Sequence, residues 1–172
     1  MRLASLLLLL LATAISAPAM ATYQIHDRIQ VEGDDLSLNN EPLKGYIEEH
    51  HISLKPTTSA NWRGYVANWT LTEKELLLDR VAWGGENGTP WGTLSQGGDK
   101  FVQVHMSGKA LPRRATWYSG TLVIGLGTDQ AIEKGPYTPY EKSYARYLLV
   151  KVKQGVVVSR RTVSQDQINA SS

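Results

Sequence analysis

At one place in this sequence several side chains that could bind a metal ion lie together, in Glu48-Glu49-His50-His51. Carboxylates and imidazoles are common zinc ligands, but adjacent histidines point to opposite sides of an extended chain and lie about 100° apart on a helix. A metal site would therefore need His26 or His105, brought in by the fold. We interpret the cluster as a solvated polar connection and expect no metal and no other cofactor.

A nucleophile with a recognisable base does not stand out. Ser119 lies in Tyr-Ser-Gly, which lacks the G-x-S-x-G turn that exposes a hydrolase serine, and the chain has no cysteine. Paired carboxylates could still hydrolyse a glycosidic bond if the fold set them at the required separation. The candidates are Glu48 or Glu49 with Asp129 or Glu141. An envelope-directed hydrolase is therefore kept as an alternative function.

Two glycine-rich stretches are candidates for phosphate binding. They are Gly84–Gly98 and Gly125-Leu126-Gly127. Neither is followed by a helical pattern or by Gly-Lys-Ser/Thr, which a phosphate-binding loop requires. We interpret the first stretch as a long loop and the second as a turn.

Aromatic residues form the most unusual part of the composition. Five tryptophans and eight tyrosines stand against one phenylalanine, so most rings carry a polar edge. Such rings can stack on sugar or peptide ligands, although they can equally cover the outer face of a sheet. Under the first interpretation, the predicted ligand-binding residues are Trp62, Trp91, Trp117, Tyr118, Tyr140 and Glu141.

The first 21 residues have the pattern of a secretory signal peptide. Arg2 precedes the apolar run Leu6–Leu11, and small residues at Ala19 and Ala21 complete the pattern. The apolar run is shorter than the roughly 20 residues that a membrane-spanning helix needs. We therefore expect cleavage after Ala21, and a periplasmic or secreted protein that begins at Thr22 and has no membrane span.

Charge and length restrict the possible classes further. Eighteen basic and sixteen acidic residues give a net charge of +2, a balance that argues against general nucleic-acid binding. Without cysteine, the fold must be held together by packing alone, which favours a bacterial exported protein over an animal extracellular one. The length fits one domain, so we predict a single β-rich domain over residues 22–164 and a polar tail over residues 165–172.

The pattern of the chain after the signal predicts an all-β fold. Short runs of alternating apolar and polar residues are separated by Gly, Pro, Asn and Asp. Ile25, Ile29 and Val31 mark a first strand, and the turn residues Glu32-Gly33-Asp34-Asp35 lead to Leu36-Ser37-Leu38.

The clearest hairpin lies between Trp62 and Trp83. Four alternating residues of its first strand are predicted to face the core: Tyr65, Ala67, Trp69 and Leu71. A two-residue loop at Glu73-Lys74 would place Leu71 opposite Leu76 and Trp69 opposite Leu78. The pairing therefore brings large apolar side chains together on one face.

Three further strand regions follow. Val102, Val104 and Met106 alternate as in a strand, a second strand is predicted from Trp117 to Ile124, closed by Gly125-Leu126-Gly127, and a last hairpin turns at Gln154-Gly155. Leu43–His51 could form one or two helical turns or an irregular connection. Since no crossover helix is evident, the strands predict a single antiparallel sandwich or a partly closed barrel.

Several blocks of the sequence resemble a family of uncharacterised bacterial proteins with a W-[RK]-G-Y-V-A-x-W motif. The motif is matched at Trp62–Trp69, and further matches lie at Leu76-Leu77-Leu78, Trp117–Leu122, Tyr140-Glu141 and the last hairpin through Gly155. The likeness covers about two thirds of the chain after residue 21. It implies kinship in fold and, because the family has no assigned activity, no particular function.

The surplus of Trp and Tyr, set beside the missing catalytic motifs, favours a small exported binding or interaction domain of the bacterial cell envelope. The predicted partner is an envelope glycan or an envelope protein. The hydrolase described above and a structural role in a larger envelope assembly are the alternatives. The sequence does not indicate an oligomeric state.

Overall fold

The computed structural model describes residues 24–83, 98–106, 111–132 and 141–169, and within them eight strands form one mixed sheet that curves into a half-barrel. The strands are β1 (Asp27–Val31), β2 (Asp34–Leu38), β3 (Tyr65–Leu71), β4 (Leu76–Trp83), β5 (Arg113–Arg114), β6 (Gly120–Ile132), β7 (Glu141–Lys153) and β8 (Val156–Ser164). Across the sheet their order is β5-β4-β3-β1-β2-β6-β7-β8. The helices are α1 (Lys44–Glu49), α2 (Gly98–His105) and α3 (Gln165–Asn169). The predicted all-β class, as a partly closed barrel, is confirmed.

The two predicted pairs next to the loop of the β3–β4 hairpin are also confirmed. Leu71 pairs with Leu76 and Trp69 pairs with Leu78 across the two-residue loop. The four residues predicted to face the core, Tyr65, Ala67, Trp69 and Leu71, are all buried. On the side of Trp69 away from the loop, the register shifts by one residue at a β-bulge, so that Asn68 lies opposite Arg80.

One strand pair departs from the predicted antiparallel arrangement. β1 pairs with β2 antiparallel but with β3 in parallel, and Ile29 lies beside Trp69. Parallel neighbours need a long crossover connection rather than a tight turn. Residues 39–64, which include α1, provide it, because they carry the chain from β2 across β1 to its other side.

The strand predicted from Trp117 to Ile124 is longer and begins later than expected. β6 starts at Gly120 and runs through Gly125-Leu126-Gly127, which does not close it. Instead, the register against β7 shifts between Leu126 and Asp129, and Gly127 takes a positive φ of 86°. A bulge at a glycine lets the strand continue past a residue that would otherwise end it.

The strand predicted around Val102 and Met106 is a helix instead. In α2 the buried residues Phe101 and Val102 are followed one turn later by the buried Met106, a spacing that puts them on one helical face. Val104, which an alternating strand would bury, is 57% exposed. Of the two possibilities for Leu43–His51, the structure has the helical one, α1.

The main core lies inside the curve of the sheet and is covered by α1 and α2. Its largest fully buried side chains include Trp69, Phe101, Leu78 and Ile124. The Tyr46 hydroxyl donates a hydrogen bond of 2.9 Å to the carbonyl oxygen of His105, which joins the two helices. No helix in the described ranges has both the length and the apolar character to span a membrane.

The two ends of the sheet approach each other at the β7–β8 turn. The amide of Leu76 donates to the carbonyl of Gly155 at 2.9 Å, and the amide of Val157 donates to the carbonyl of Lys74 at 2.8 Å. These bonds connect the two opposite halves of the sheet and account for the partial closure. The predicted polar tail begins with a helix, α3, which packs Ile168 against β7 and β8.

Candidate functional site

The aromatic residues predicted to bind a ligand occupy different environments. Trp62, just before β3, is 67% exposed. Trp117 packs on the core, where its indole Nε1 donates to the carbonyl oxygen of Pro42 at 3.0 Å and its ring lies 5.1 Å from that of Tyr46. Tyr118 is half-buried against the same core, and burial raises the pKa of its hydroxyl. The structure therefore gives Trp117 and Tyr118 packing contacts and leaves Trp62 at the surface.

The other predicted ligand-binding residues stand at or beyond the limits of the described ranges. Trp91, in the glycine-rich stretch Gly84–Gly98, and Tyr140 lie outside them. Glu141 is the first residue of β7 and pairs with Ile132 at the end of β6.

The acidic and histidine cluster forms the end of α1. Glu48 and Glu49 are exposed, and the His50 ring stacks on the Tyr46 ring with a centroid distance of 3.9 Å. Across the described ranges, no three His, Asp or Glu side chains come close enough to hold a metal ion.

A polar groove crosses the outer face of the sheet, on the opposite side from the main core. It spans β2, β1, β3 and β4, and has a volume of about 480 Å³. Because side chains alternate along a strand, the residues between the buried Ile29, Val31, Trp69 and Leu71 point outward into it. The polar side chains of this groove are Arg28, Gln30, Asp35, Asn68, Thr70, Asp79 and Arg80.

The β-bulge in β4 gives the polar groove an additional charged side chain. With strict alternation Asp79 would point outward and Arg80 would point into the core. The extra residue opposite Asn68 reverses the alternation, so that Arg80 remains partly exposed and Val81 is fully buried. An acid and a base, adjacent in sequence, therefore both line the groove.

Most of the charges in the polar groove are held in place by neighbouring strands. Arg28 forms two hydrogen bonds with the Asp35 carboxylate, at 3.1 and 2.7 Å, from its Nε and Nη2 atoms. These bonds raise the pKa of Arg28 above its usual value, against a smaller opposite effect of burial. The Thr70 hydroxyl donates to Asp79 Oδ2 at 2.5 Å. Arg80 makes no hydrogen bond and no ion pair with the rest of the described chain.

A buried network fixes the strands beneath the polar groove. The Asp27 carboxylate is inaccessible to solvent and accepts hydrogen bonds from Arg63 Nη1 and the Ala67 amide, both at 3.1 Å, and from Trp69 Nε1 at 3.2 Å. Burial raises the pKa of Asp27 to about 6, against the opposing effects of Arg63, Ala67 and Trp69. The network ties β1 to β3, so it sets the relative position of the groove's two central strands.

Several residues of the W-R-G-Y-V-A-x-W block, Trp62–Trp69, take part in this network or in the backbone geometry before β3. Arg63, Ala67 and Trp69 contact Asp27, and the Arg63 guanidinium lies 4.8 Å from the centre of the Tyr65 ring. Gly64 has a φ of 75°, and a Cβ there would lie 2.4 Å from the carbonyl oxygen of Lys55. These residues thus have structural roles at the start of β3.

The polar groove offers a mixture of donors and acceptors. Arginine only donates hydrogen bonds, ionised aspartate only accepts them, and asparagine, glutamine and threonine do both. Two arginines balance two aspartates, so the groove suits a ligand rich in hydroxyl groups better than a polyanion. Of its residues, Arg28, Gln30, Asn68, Thr70 and Asp79 could have been found from the alternation of the predicted strands. Arg80 could not, because the bulge has no evident sequence signal.

Comparison with known proteins adds no functional assignment: no family model, no curated protein and no solved structure matches this chain. The resemblance to the bacterial W-[RK]-G-Y-V-A-x-W family therefore stays a prediction.

Proposed function

We propose that this chain is a small exported binding domain of the bacterial cell envelope, and that the polar groove binds an envelope glycan. The observation that carries this proposal is the set of hydrogen-bonding side chains that four strands direct into one groove of about 480 Å³. This volume is within the roughly 300–1,000 Å³ of small-molecule sites in proteins. Side chains on a sheet are also held more rigidly than side chains on loops, which lowers the entropic cost of binding.

Arg80 is the key residue of the proposed site. Arg28 is hydrogen-bonded to Asp35 and Thr70 to Asp79, and both carboxylates keep further acceptor sites. The N–H groups of the Arg80 guanidinium have no acceptor within the described chain. A hydroxyl, carboxylate or carbonyl oxygen of a ligand can accept hydrogen bonds from them. Its neighbours then supply acceptors for the ligand's own hydroxyl groups.

Binding of peptidoglycan fragments to the purified chain, measured by calorimetry, tests the proposal. Arg80→Gln should weaken binding about tenfold or more, since hydrogen bonds to a charged group are worth about 1.5–3 kcal/mol. The melting temperature should stay unchanged, because Arg80 has no structural partner in the described chain. Arg146→Gln is the matched control, since it removes the same charge from an exposed position on β7 outside the groove.

Three outcomes would contradict the glycan proposal. They are the absence of fragment binding, equal affinities for the two variants, and capture of an envelope protein with no affinity for glycan. Mass spectrometry of the incubated fragments tests the alternative function. Time-dependent cleavage that Glu141→Gln abolishes would establish the hydrolase in place of a domain that only binds.

A further inference from the structure

A second cavity lies on the outer face of the other half of the sheet, between β6, β7, β8 and α3. Its volume is about 230 Å³. Val123 on β6 pairs with Leu149 on β7, and together with Val163 and Ile168 they form an apolar lining. We call it the α3 cavity. It is separate from the main core, because its apolar residues belong to a second cluster with Tyr144 and Tyr147.

A positive charge stands at this apolar lining. Arg161 on β8 pairs with Leu149 on β7 and is exposed. In the described ranges it has no ion pair and no hydrogen bond. The preceding residue differs, because Arg160 donates to the carbonyl oxygen of Thr72 and lies 3.8 Å from the carboxylate of Glu32. The guanidinium of Arg161 is therefore available to an anion that enters the α3 cavity.

We propose that the α3 cavity binds a free single-chain carboxylic acid, with its alkyl tail on the apolar lining and its carboxylate paired with Arg161. Arginine suits this head group because its planar fork matches the two oxygens of a carboxylate. An engineered apolar cavity of about 150 Å³ holds a six-carbon ring, so the α3 cavity has room for an alkyl chain of about eight carbons. This site shares no lining residue with the polar groove.

Calorimetric titration of the purified chain with octanoate tests the proposal. Wild type should bind octanoate at least tenfold more tightly than 1-octanol, which has the same tail without the charge, and more tightly than acetate, which has the head alone. Arg161→Gln should reduce the affinity for octanoate by about tenfold or more and leave that for octanol nearly unchanged. Arg146→Gln is the charge-matched control on the neighbouring strand, and its affinity should equal that of wild type.

A second variant tests the position of the tail. Thr121 lines the α3 cavity and is exposed, so Thr121→Trp should fill the cavity without disturbing the main core. It should abolish octanoate binding and keep the melting transition of wild type. The proposal is overturned if octanoate does not bind, if octanol binds equally well, or if Arg161→Gln and Arg146→Gln behave alike. Unaltered binding in Thr121→Trp would also overturn it. None of these results bears on the glycan proposal, which depends on Arg80.

Discussion

Asp27 lies next to a residue of the polar groove, while its own side chain is buried on the other side of β1. Its backbone belongs to β1, its neighbour Arg28 lines the polar groove, and its own carboxylate is buried among Arg63, Ala67 and Trp69. Burying a charge is costly unless hydrogen bonds and an opposite charge compensate for it. The three donors compensate for the burial of Asp27 only in part. Burial therefore still raises the pKa of Asp27 to about 6.

This raised pKa predicts a pH dependence of stability. The pKa of about 6 in the folded chain exceeds the ordinary value of 3.8, so the folded protein holds the proton more tightly than the unfolded chain. The contribution of Asp27 is therefore complete below about pH 4 and is lost as the pH rises through about 6. This difference of about 2 between the two pKa values of Asp27 corresponds to about 3 kcal/mol in the free energy of unfolding.

Urea unfolding of wild type and Asp27→Asn between pH 4 and pH 7 measures this contribution. The free-energy difference between the two proteins should change by up to about 3 kcal/mol over that range, with wild type gaining stability relative to the variant as the pH falls. Comparison with the variant removes the effect of the other carboxylates, among them Glu41, which lies 3.4 Å from Arg63. Parallel pH profiles would show that Asp27 titrates at its ordinary value.

The β1–β2 turn and the β7–β8 turn have the same backbone conformation but different surroundings. The β1–β2 turn has Glu32 and Gly33 at φ 55° and 94°, and the β7–β8 turn has Gln154 and Gly155 at φ 48° and 75°. Positive φ at both central residues is the hairpin conformation that favours glycine. The first turn is open, whereas the second packs against β5 at the point where the sheet ends approach each other.

Alanine substitution of the two glycines separates backbone strain from packing. Gly33→Ala should cost about 1–2 kcal/mol, because a Cβ there meets nothing within 4 Å and only the left-handed conformation is penalised. In Gly155→Ala the Cβ would lie 2.7 Å from Arg114 Cγ and 2.9 Å from the carbonyl carbon of Ala115, which adds about 1–3 kcal/mol. Denaturant melts compare the two losses. Equal losses would mean that the closure of the half-barrel adjusts freely.

The half-barrel has the main core on one side of its sheet and the two proposed binding sites on the other. The main core and the two helices α1 and α2 occupy the inner side of the sheet. The outer side carries the polar groove on the first half and the α3 cavity on the second half. Both proposed sites can therefore vary in sequence without disturbing the main core.

Export is the prediction that concerns the chain as a whole. Residues 1–21 should be removed on secretion, because Ala19 and Ala21 offer the small side chains that signal peptidase requires. Intact-mass measurement on protein from the periplasm or medium should give a chain that begins at Thr22. An exported species that still contains Leu6–Leu11 would contradict the signal-peptide interpretation.

The all-β class and the pairing next to the β3–β4 loop could be predicted from the sequence. In the β3–β4 hairpin the two-residue loop and the alternation around Trp69 leave one pairing that buries the apolar side chains, since a shift of one residue would expose them. The turn at Gln154-Gly155 followed from the same local signals. Such features depend on residues close together in the chain, so a pattern of short period is sufficient to predict them.

Features that depend on residues far apart in the chain could not be predicted from the sequence. The parallel pairing of β1 with β3 rests on Asp27 meeting Arg63 and Trp69, and no local pattern relates them. The alternation of Val102 and Met106 also fits a strand. The helix forms instead because it packs Phe101 on the main core together with them. Most of the polar side chains of the groove could be predicted from the faces of the strands. Arg80 could not, because it points outward only at a bulge, where burial of Val81 outweighs regular pairing of the strand.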